Sequence, residues 1–342
     1  MSNITQSKPQ RAVRAAGSTA AESQPDYGKL RVVKTKHWWR WTFSAIGGLL
    51  IAQFLVSLIT NPLYEWGVFA EHFTAKAVLR GLGTTLWLSL VSGTIGLLLG
   101  TLLALARLSK SPILGGFAWS FTWFFRSVPL LVQLLVWFNL GYLYPQLGIG
   151  IPFTHIYFLQ FDTVTLVSAF AAAVLGLSLH QAAFSAEIIR GGILSVDQGQ
   201  LEAAAALGLP IRRRVLRIVL PQAARSILPN AFNQIIDLIK GTSVVYVLAT
   251  SELFYVVQVI YNRNGRVIPL LLVAVVWYTV VVTILSVAQF YIERHFARGA
   301  TRTLPPTPIQ AFARWTAIQW NRLEDDPPTP GRPTPLPTKE GK

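Results

Sequence analysis

The sequence predicts an all-α membrane protein with about six transmembrane helices, and three observations lead to this fold class. Apolar residues make up 52% of the 342-residue chain, charged residues make up only 13%, and long apolar segments recur along its length. A soluble domain carries about 25% charged residues, so this chain lacks the polar surface that water requires. The chain also has no cysteine, which excludes thiol catalysis and thiolate metal sites.

Six apolar segments are long enough to cross about 30 Å of hydrocarbon, which takes roughly 20 helical residues. They cover residues 41–60, 80–105, 115–144, 163–187, 229–258 and 267–291. The third segment is irregular because it contains Arg126 and Pro129. The fifth is irregular because it contains Asp237, Lys240 and Glu252.

The second segment contains a pair of glycines one helical turn apart, Gly96 and Gly100. Small residues four positions apart lie on one helix face and allow the backbone of another helix to come close. A close helix–helix contact inside the membrane is therefore one interpretation, and a chance spacing in a Gly-rich span is the other.

The positive charges are distributed unevenly between the loops. Of the 30 Lys and Arg residues, 24 lie in residues 1–40, 106–114, 188–228 and the tail after 291. Only four lie in the intervening loops, and Lys and Arg are enriched on the cytoplasmic side of inner-membrane proteins. This pattern predicts that both termini are cytoplasmic. Because topology explains the net charge of +15, no nucleic-acid partner is expected.

The two ends of the chain differ from its membrane-spanning part. Residues 1–40 are polar and basic, which indicates a cytoplasmic tail. The C-terminal tail, residues 299–342, is Pro-rich, with nine of the 20 prolines between residues 305 and 337. Such a segment is expected to be disordered. Within it, the stretch 309–324 has the composition of a short amphipathic surface helix.

The long loop after the fourth segment, about residues 190–229, is predicted to form two short helices. The stretch 202–207 consists of strong helix formers, and Gly208 is suited to end that helix. A second helix is expected over 211–219, with Leu220-Pro221 breaking it before the chain re-enters the membrane. Two short helices at an angle have the shape of a docking surface for a cytoplasmic partner.

This loop carries a motif that resembles a known family. Its fixed positions are Glu202, Ala203, Ala204, Gly208, Ile218, Leu220 and Pro221. They match every fixed position of the EAA loop, EAA-x3-G-x9-I-x-LP, in the permease subunits of bacterial ATP-binding-cassette importers. We use the name EAA loop for about residues 190–229.

Other segments resemble the subgroup that imports polar amino acids such as histidine, glutamine, glutamate and arginine. They are residues 125–133, 186–193, 199–200, 233 and 240–243. The resemblance covers about residues 80–298 and implies a type I permease core of five helices, spans two to six. The helix over 41–60 would then be an extra N-terminal span in the bacterial cytoplasmic membrane.

The resemblance also implies a set of partners. ATPase subunits would dock on the EAA residues, a second permease subunit, identical or homologous, would complete the pore, and an extracytoplasmic solute-binding protein would deliver a polar amino acid. The chain contains no G-x4-G-K-[ST] phosphate loop. We therefore expect a transport subunit rather than an enzyme, with ATP bound by a partner and no cofactor on this chain.

Polar residues inside the predicted spans are candidates for the translocation path, because ionisable groups in hydrocarbon are costly and normally face a cavity or a partner. The candidates are Arg126, His180, Gln181, Glu187, Asn233, Asp237, Lys240 and Thr242. Asp237 and Lys240 share one helix face, so mutual neutralisation and solute contact both stay open. For His180 and Gln181, an interhelical hydrogen bond is the alternative. Gly241, His180-Gln181 and Asp237 depart from the family pattern, and these departures leave the amino acid undetermined.

A gradient-driven secondary transporter or channel is the alternative from another class. An organised EAA loop has no purpose in such a carrier. The five histidines show neither i, i+4 pairing nor an HExxH arrangement, so no metal site is expected.

Overall fold

The computed structural model describes residues 38–151 and 157–296, together with residue 310 and residues 313–317. In this part of the chain four helices are long and apolar enough to cross a membrane, and two bent helix pairs bring the total to as many as six. The predicted all-α membrane fold is confirmed. The two tails, apart from residues 38–40, 310 and 313–317, lie outside the described residues.

Helix α1 (Trp38–Thr60) belongs to a unit that ends at Asn61, and the remaining elements form a second unit that begins at Pro62. Large apolar side chains are exposed along α1, including Phe43, Leu50 and Phe54. A helix that is apolar all round is typical of a membrane span, as the sequence predicts for residues 41–60.

The second unit begins with a short 3₁₀ turn (Pro62–Tyr64) and helix α2 (Trp66–Phe73). Trp277 donates its indole N–H to the Phe73 carbonyl oxygen at 2.9 Å, and the two rings stack with their centres 4.8 Å apart. This contact anchors α2 to the last span.

Helices α3 (Lys76–Leu108) and α8 (Ala169–Leu194) make the most extensive helix contact in the described part of the chain. Gly96 and Gly100 lie in this contact, and a Cβ added to Gly100 would be 2.6 Å from Ser185 Cβ. The close helix contact, one of the two interpretations of the glycine pair, is confirmed.

The third span is bent rather than straight over 115–144. Helix α4 (Pro112–Ser127) and helix α5 (Leu130–Phe138) meet at an angle of 103°. Proline cannot donate a backbone hydrogen bond and disfavours the helical conformation at the preceding residue, and Val128 before Pro129 is extended. The apolar composition of residues 115–144 does not indicate where the span bends.

A short connection leads from the third span to the fourth. After α6 (Leu140–Leu143), strand β1 (Gln146–Gly150) pairs antiparallel with β2 (Tyr157–Asp162), and α7 (Thr163–Leu166) follows. The strands are irregularly paired between Ile149 and Gly150. The hairpin and the EAA loop flank opposite ends of α8, whose 26 residues measure about 39 Å.

The helices of the EAA loop differ from the prediction at one point. Helix α9 (Gln198–Ala206) ends before Gly208 as expected. The second helix, however, runs from α10 (Ile211–Arg214) through a π turn (Val215–Val219) directly into α11 (Leu220–Gly241), so Leu220-Pro221 does not break it. A π turn already interrupts the regular i→i−4 series, with the Leu220 N–H bonded to the Val215 carbonyl oxygen, and Pro221 directly follows that turn.

The fifth span is also broken. After α11 the chain continues as a 3₁₀ helix (Thr242–Leu248) and, past a bend of 47°, as α12 (Leu253–Asn264). Ala249 adopts a left-handed conformation at the break, with φ of 53°. The last span is the continuous helix α13 (Val267–Phe296).

Candidate functional site

The EAA loop is built around a left-handed glycine. Asp197 caps α9 by accepting the Gln200 N–H at 3.0 Å. Gly208 has φ of 68°, and the Leu209 N–H returns to the Ala204 carbonyl oxygen at 3.1 Å. A Cβ at Gly208 would meet no atom within 4 Å, so the backbone conformation rather than space requires glycine.

The motif residues are divided between the inner and outer faces of the loop. Ala204 is buried, Ile218 is half-buried, and the other five positions of the motif are exposed. Leu207 and Ile211 beside Gly208 are 79% and 71% exposed. Gln222 on α11 donates to Gln200 at 2.6 Å and holds α9 against the continuous helix. The ordered loop therefore exposes both apolar side chains and Glu202.

Glu187 lies in an ion-pair network where α3, α4 and α8 meet. Its carboxylate is 3.1 Å from the Arg107 guanidinium and 2.9 Å from that of Arg190. Arg107 also donates to the Thr122 hydroxyl at 3.0 Å. Glu187 therefore connects α8 to α3 through Arg107, and Arg107 extends the network to α4.

Arg126 and His180 both contact the Phe184 ring near the bend of the third span. The Arg126 guanidinium lies 5.3 Å from the centre of the Phe184 ring, and the His180 ring is 4.8 Å from the same ring. His180 Nδ1 is 3.4 Å from the Gln133 amide nitrogen. These contacts place His180 in an interhelical contact between α5 and α8.

Gln133 supplies hydrogen bonds that stabilise this bend, although it is not among the candidates predicted from the sequence. Pro129 lacks the N–H that would bond the Phe125 carbonyl oxygen four residues earlier. The buried Gln133 amide donates to that oxygen at 2.9 Å and to the Val128 carbonyl oxygen at 2.8 Å. The proline four residues before the glutamine is the signal that predicts this role.

We expect Gln133→Met, which keeps the side-chain length, to destabilise the bend by about 1–3 kcal/mol, because two buried carbonyl groups lose a donor. The measurement is the midpoint of thermal unfolding of the purified protein in detergent. Gln146→Met, in strand β1, is the control and leaves the midpoint in place. Equal midpoints for the Gln133 variant and the natural protein would show that the amide does not support the bend.

Gln181 is buried where α8 contacts α3 and α11. Its amide donates to the Ser185 hydroxyl at 3.3 Å, and its carbonyl oxygen accepts from Gln234 at 3.4 Å. Gln181 also borders a cavity of about 310 Å³ with mainly apolar walls. The bond from Gln234 on α11 is a hydrogen bond between helices, which was one of the alternatives for this residue, whereas the bond to Ser185 lies within α8.

A row of polar residues follows the exposed side of α11 at intervals of three or four residues. We call it the polar stripe: Ser226, Asn230, Asn233, Asp237 and Lys240. Asn233 accepts from Gln289 on α13 at 3.1 Å. Asp237 and Lys240 form the ion pair that their spacing predicts, at 2.7 Å, and their side chains are 61% and 54% exposed. Thr242 is buried beyond the stripe and donates to the Ile239 carbonyl oxygen.

The predicted path residues therefore do not form one site. Only Asn233, Asp237 and Lys240 come together on one accessible surface, whereas Glu187, Gln181 and His180 serve contacts between helices. In the described residues no group of three or more His, Asp or Glu could hold a metal ion.

Comparison with known proteins identifies the family. The model of the binding-protein-dependent transport system inner membrane component matches residues 96–298, more than half of the chain. The chain is 37% identical over 299 residues to the arginine transport system permease protein ArgU of Corynebacterium glutamicum, covering 87% of this chain and 91% of that protein. It is 36% identical over 238 residues to the glutamate/aspartate import permease protein GltK of Escherichia coli O157:H7, covering 69% of this chain and all of that protein.

Solved structures agree with this assignment. The crystal structure of an amino acid ABC transporter with histidines matches with a TM-score of 0.54 and 32% identity, covering 64% of this chain and 94% of that one. An inward-facing structure of the MetNI methionine ABC transporter shares the fold, with a TM-score of 0.51 and 20% identity. The chain therefore belongs to the family of binding-protein-dependent transport system inner membrane components, as a permease subunit rather than an enzyme.

Proposed function

We propose that this chain is the permease subunit of an ATP-driven importer for a polar amino acid. Its relatives are named for arginine and for glutamate/aspartate, and the solved relative is an amino acid transporter. These side chains differ in charge, so what the relatives share is the amino-acid class. We therefore assign a polar amino acid as the substrate class.

The single observation that carries the proposal is the ordered surface of the EAA loop. Leu207 and Ile211 are exposed on a loop rich in arginine, and an ordered apolar surface facing water is typical of a protein-binding site. We infer that Glu202, Ala203 and Gly208 dock an ATPase subunit, which binds and hydrolyses ATP, while Ile218, Leu220 and Pro221 hold the connection to α11. This chain then needs no cofactor of its own.

The orientation follows from the distribution of Lys and Arg, which favours a cytoplasmic EAA loop and cytoplasmic termini. The hairpin lies about 39 Å away at the other end of α8 and belongs to the extracytoplasmic side, where a solute-binding protein would approach. A second permease subunit would face this one across the path.

The polar stripe supports a position for that path. Exposed residues on α3 and α13 are mainly apolar, as lipid requires, whereas α11 exposes amide and charged groups. Charged side chains in a span avoid lipid and face water or protein. We infer that the stripe lines the translocation path and that Asn233, Asp237 and Lys240 are the path residues of this subunit.

Substitution of Gly208 tests the docking surface. We expect Gly208→Val to remove most of the ATPase subunit that co-purifies with the permease, because a β-branched residue is strongly disfavoured at positive φ. The measurement is the ratio of ATPase to permease after affinity purification from membranes, together with amino-acid uptake.

The control is Gly116→Val, in α4, where an added Cβ meets no atom within 4 Å and φ is not positive. This variant keeps the ratio of the natural protein. The docking assignment is wrong if Gly208→Val also keeps both the ratio and the uptake.

A further inference from the structure

Two opposite charges on the polar stripe are paired only with each other. Lys240 Nζ lies 2.7 Å from Asp237 Oδ1, and both side chains are more than half exposed. Throughout the part of the chain that the structure describes, neither side chain has a second bonding partner. One carboxylate oxygen of Asp237 and two N–H groups of Lys240 remain available.

Other charges in the spans are held differently. Glu187 uses both carboxylate oxygens on two arginines, and Glu252 is completely buried with several donors around it. Both carboxylates therefore already have partners within the protein. An exposed ion pair on adjacent helical turns contributes little to stability, so Asp237 and Lys240 exchange partners at low cost.

We propose that Asp237 and Lys240 bind the two backbone charges of the amino acid as it passes: the Asp237 carboxylate binds the α-ammonium group and the Lys240 ammonium binds the α-carboxylate. The inference rests on the proposed function and extends it by naming the recognised groups. These groups are common to amino acids whatever the side chain.

The geometry suits this exchange. Residues three apart on a helix have Cβ atoms about 5–6 Å apart, so both side chains reach one small zwitterion. When no substrate is present, the pair neutralises itself and leaves no isolated charge in the membrane. When the zwitterion enters, one ion pair is replaced by two charge-assisted contacts.

The test uses the absence of cysteine in the natural chain. Asn233→Cys, one turn before Asp237, introduces a single thiol on the stripe of the permease purified with its ATPase subunits and reconstituted in nanodiscs. The rate of its reaction with a membrane-impermeant thiosulfonate is measured with added arginine, glutamate or glutamine. The decarboxylated amine of each amino acid (agmatine for arginine), which lacks the α-carboxylate, and the α-hydroxy acid of each, which lacks the ammonium group, are the comparison probes.

We expect at least one of the amino acids to protect the thiol, and its analogues to need about tenfold higher concentration, because each lacks one charge-assisted contact. Asp237→Asn in this background should remove the advantage of the amino acid over its hydroxy acid. Lys240→Gln should remove the advantage over the decarboxylated amine. The control disrupts another exposed 2.7 Å ion pair, with Glu65→Gln and Arg266→Gln, and keeps both preferences.

The outcomes separate this inference from the function on which it rests. A thiol that never reacts would contradict the position of the path and with it this inference. Three results with a reactive thiol would overturn the inference alone. The analogues protect the thiol as well as the amino acid does, no amino acid protects it, or both charge variants keep the preference for the amino acid over its analogues.

Discussion

Gly100→Val is expected to abolish the folded permease. A Cβ at this position would lie 2.6 Å from Ser185 Cβ and 2.9 Å from the Ala182 carbonyl oxygen. The second atom belongs to the backbone, so α3 and α8 must separate along their contact. Overpacking alone costs about 1–3 kcal/mol, and here the contact that organises the unit is lost with it. The measurement is the yield of monodisperse protein in size-exclusion chromatography after extraction in detergent.

The same helix supplies the matched control. Gly83→Val adds the same side chain to α3 at a position where a Cβ meets no atom within 4 Å, and it should leave the yield unchanged. Gly100→Ala combined with Ser185→Gly should recover part of the protein that Gly100→Ala alone loses, because the Cβ at 2.6 Å is removed from the partner helix. Equal yields for Gly100→Val and Gly83→Val would show that α3 and α8 do not pack as described.

Glu252→Leu is the second substitution with a large expected effect. The buried carboxylate caps α12 by accepting the Tyr255 N–H at 2.6 Å and the Phe254 N–H at 2.9 Å. It also accepts from the Tyr278 hydroxyl at 3.2 Å, which connects the broken span to α13. Each buried donor without a partner costs about 1–3 kcal/mol, so we expect the unfolding midpoint to fall sharply or folded protein to disappear.

Glu252→Gln keeps one acceptor oxygen for the start of α12 and should retain much more folded protein than Glu252→Leu. The surface variant Glu71→Leu, also on the second unit, is the control for loss of a carboxylate. The assigned role fails if Glu252→Leu and Glu71→Leu unfold at the same temperature.

Much of the fold could be predicted because apolar length is local information. The spans over 80–105 and 267–291 appear as α3 and α13, and the close helix contact expected at the glycine pair is the contact with α8. Gly208 is equally predictable, since an alanine-rich helix followed by glycine is typical of a left-handed helix end. These features depend on a few neighbouring residues.

The breaks in the spans could not be predicted in the same way. Pro129 and Pro221 have the same local chemistry, yet one lies in a bend of 103° and the other at the start of a continuing helix. The difference lies in the surroundings: Gln133 satisfies the carbonyl group freed at the first, and a π turn precedes the second. The Gln133 hydrogen bond is a tertiary interaction and the π turn is a feature of backbone geometry, and amino-acid composition predicts neither of them.

The candidate path residues show the same limit. Sequence identifies polar groups in spans but not the direction in which each one points. Gln181 and Asp237 are both candidates by sequence, and only the packing of α8 and α11 makes the first a buried interhelical contact and the second an exposed charge. The spacing of Asp237 and Lys240 did indicate that they could pair, because an i, i+3 relation depends on one helix alone.

Uptake of radiolabelled amino acid by proteoliposomes tests the central claim most directly. The permease is reconstituted with its ATPase subunits and solute-binding protein, and accumulation of arginine, glutamate and glutamine is followed with ATP and with a non-hydrolysable ATP analogue. We expect at least one of these amino acids to accumulate, and we expect this accumulation to require ATP hydrolysis and the ATPase subunit. The Gly208→Val variant should abolish the accumulation. Accumulation by the permease alone, driven by an ion gradient without ATP, would contradict the central claim.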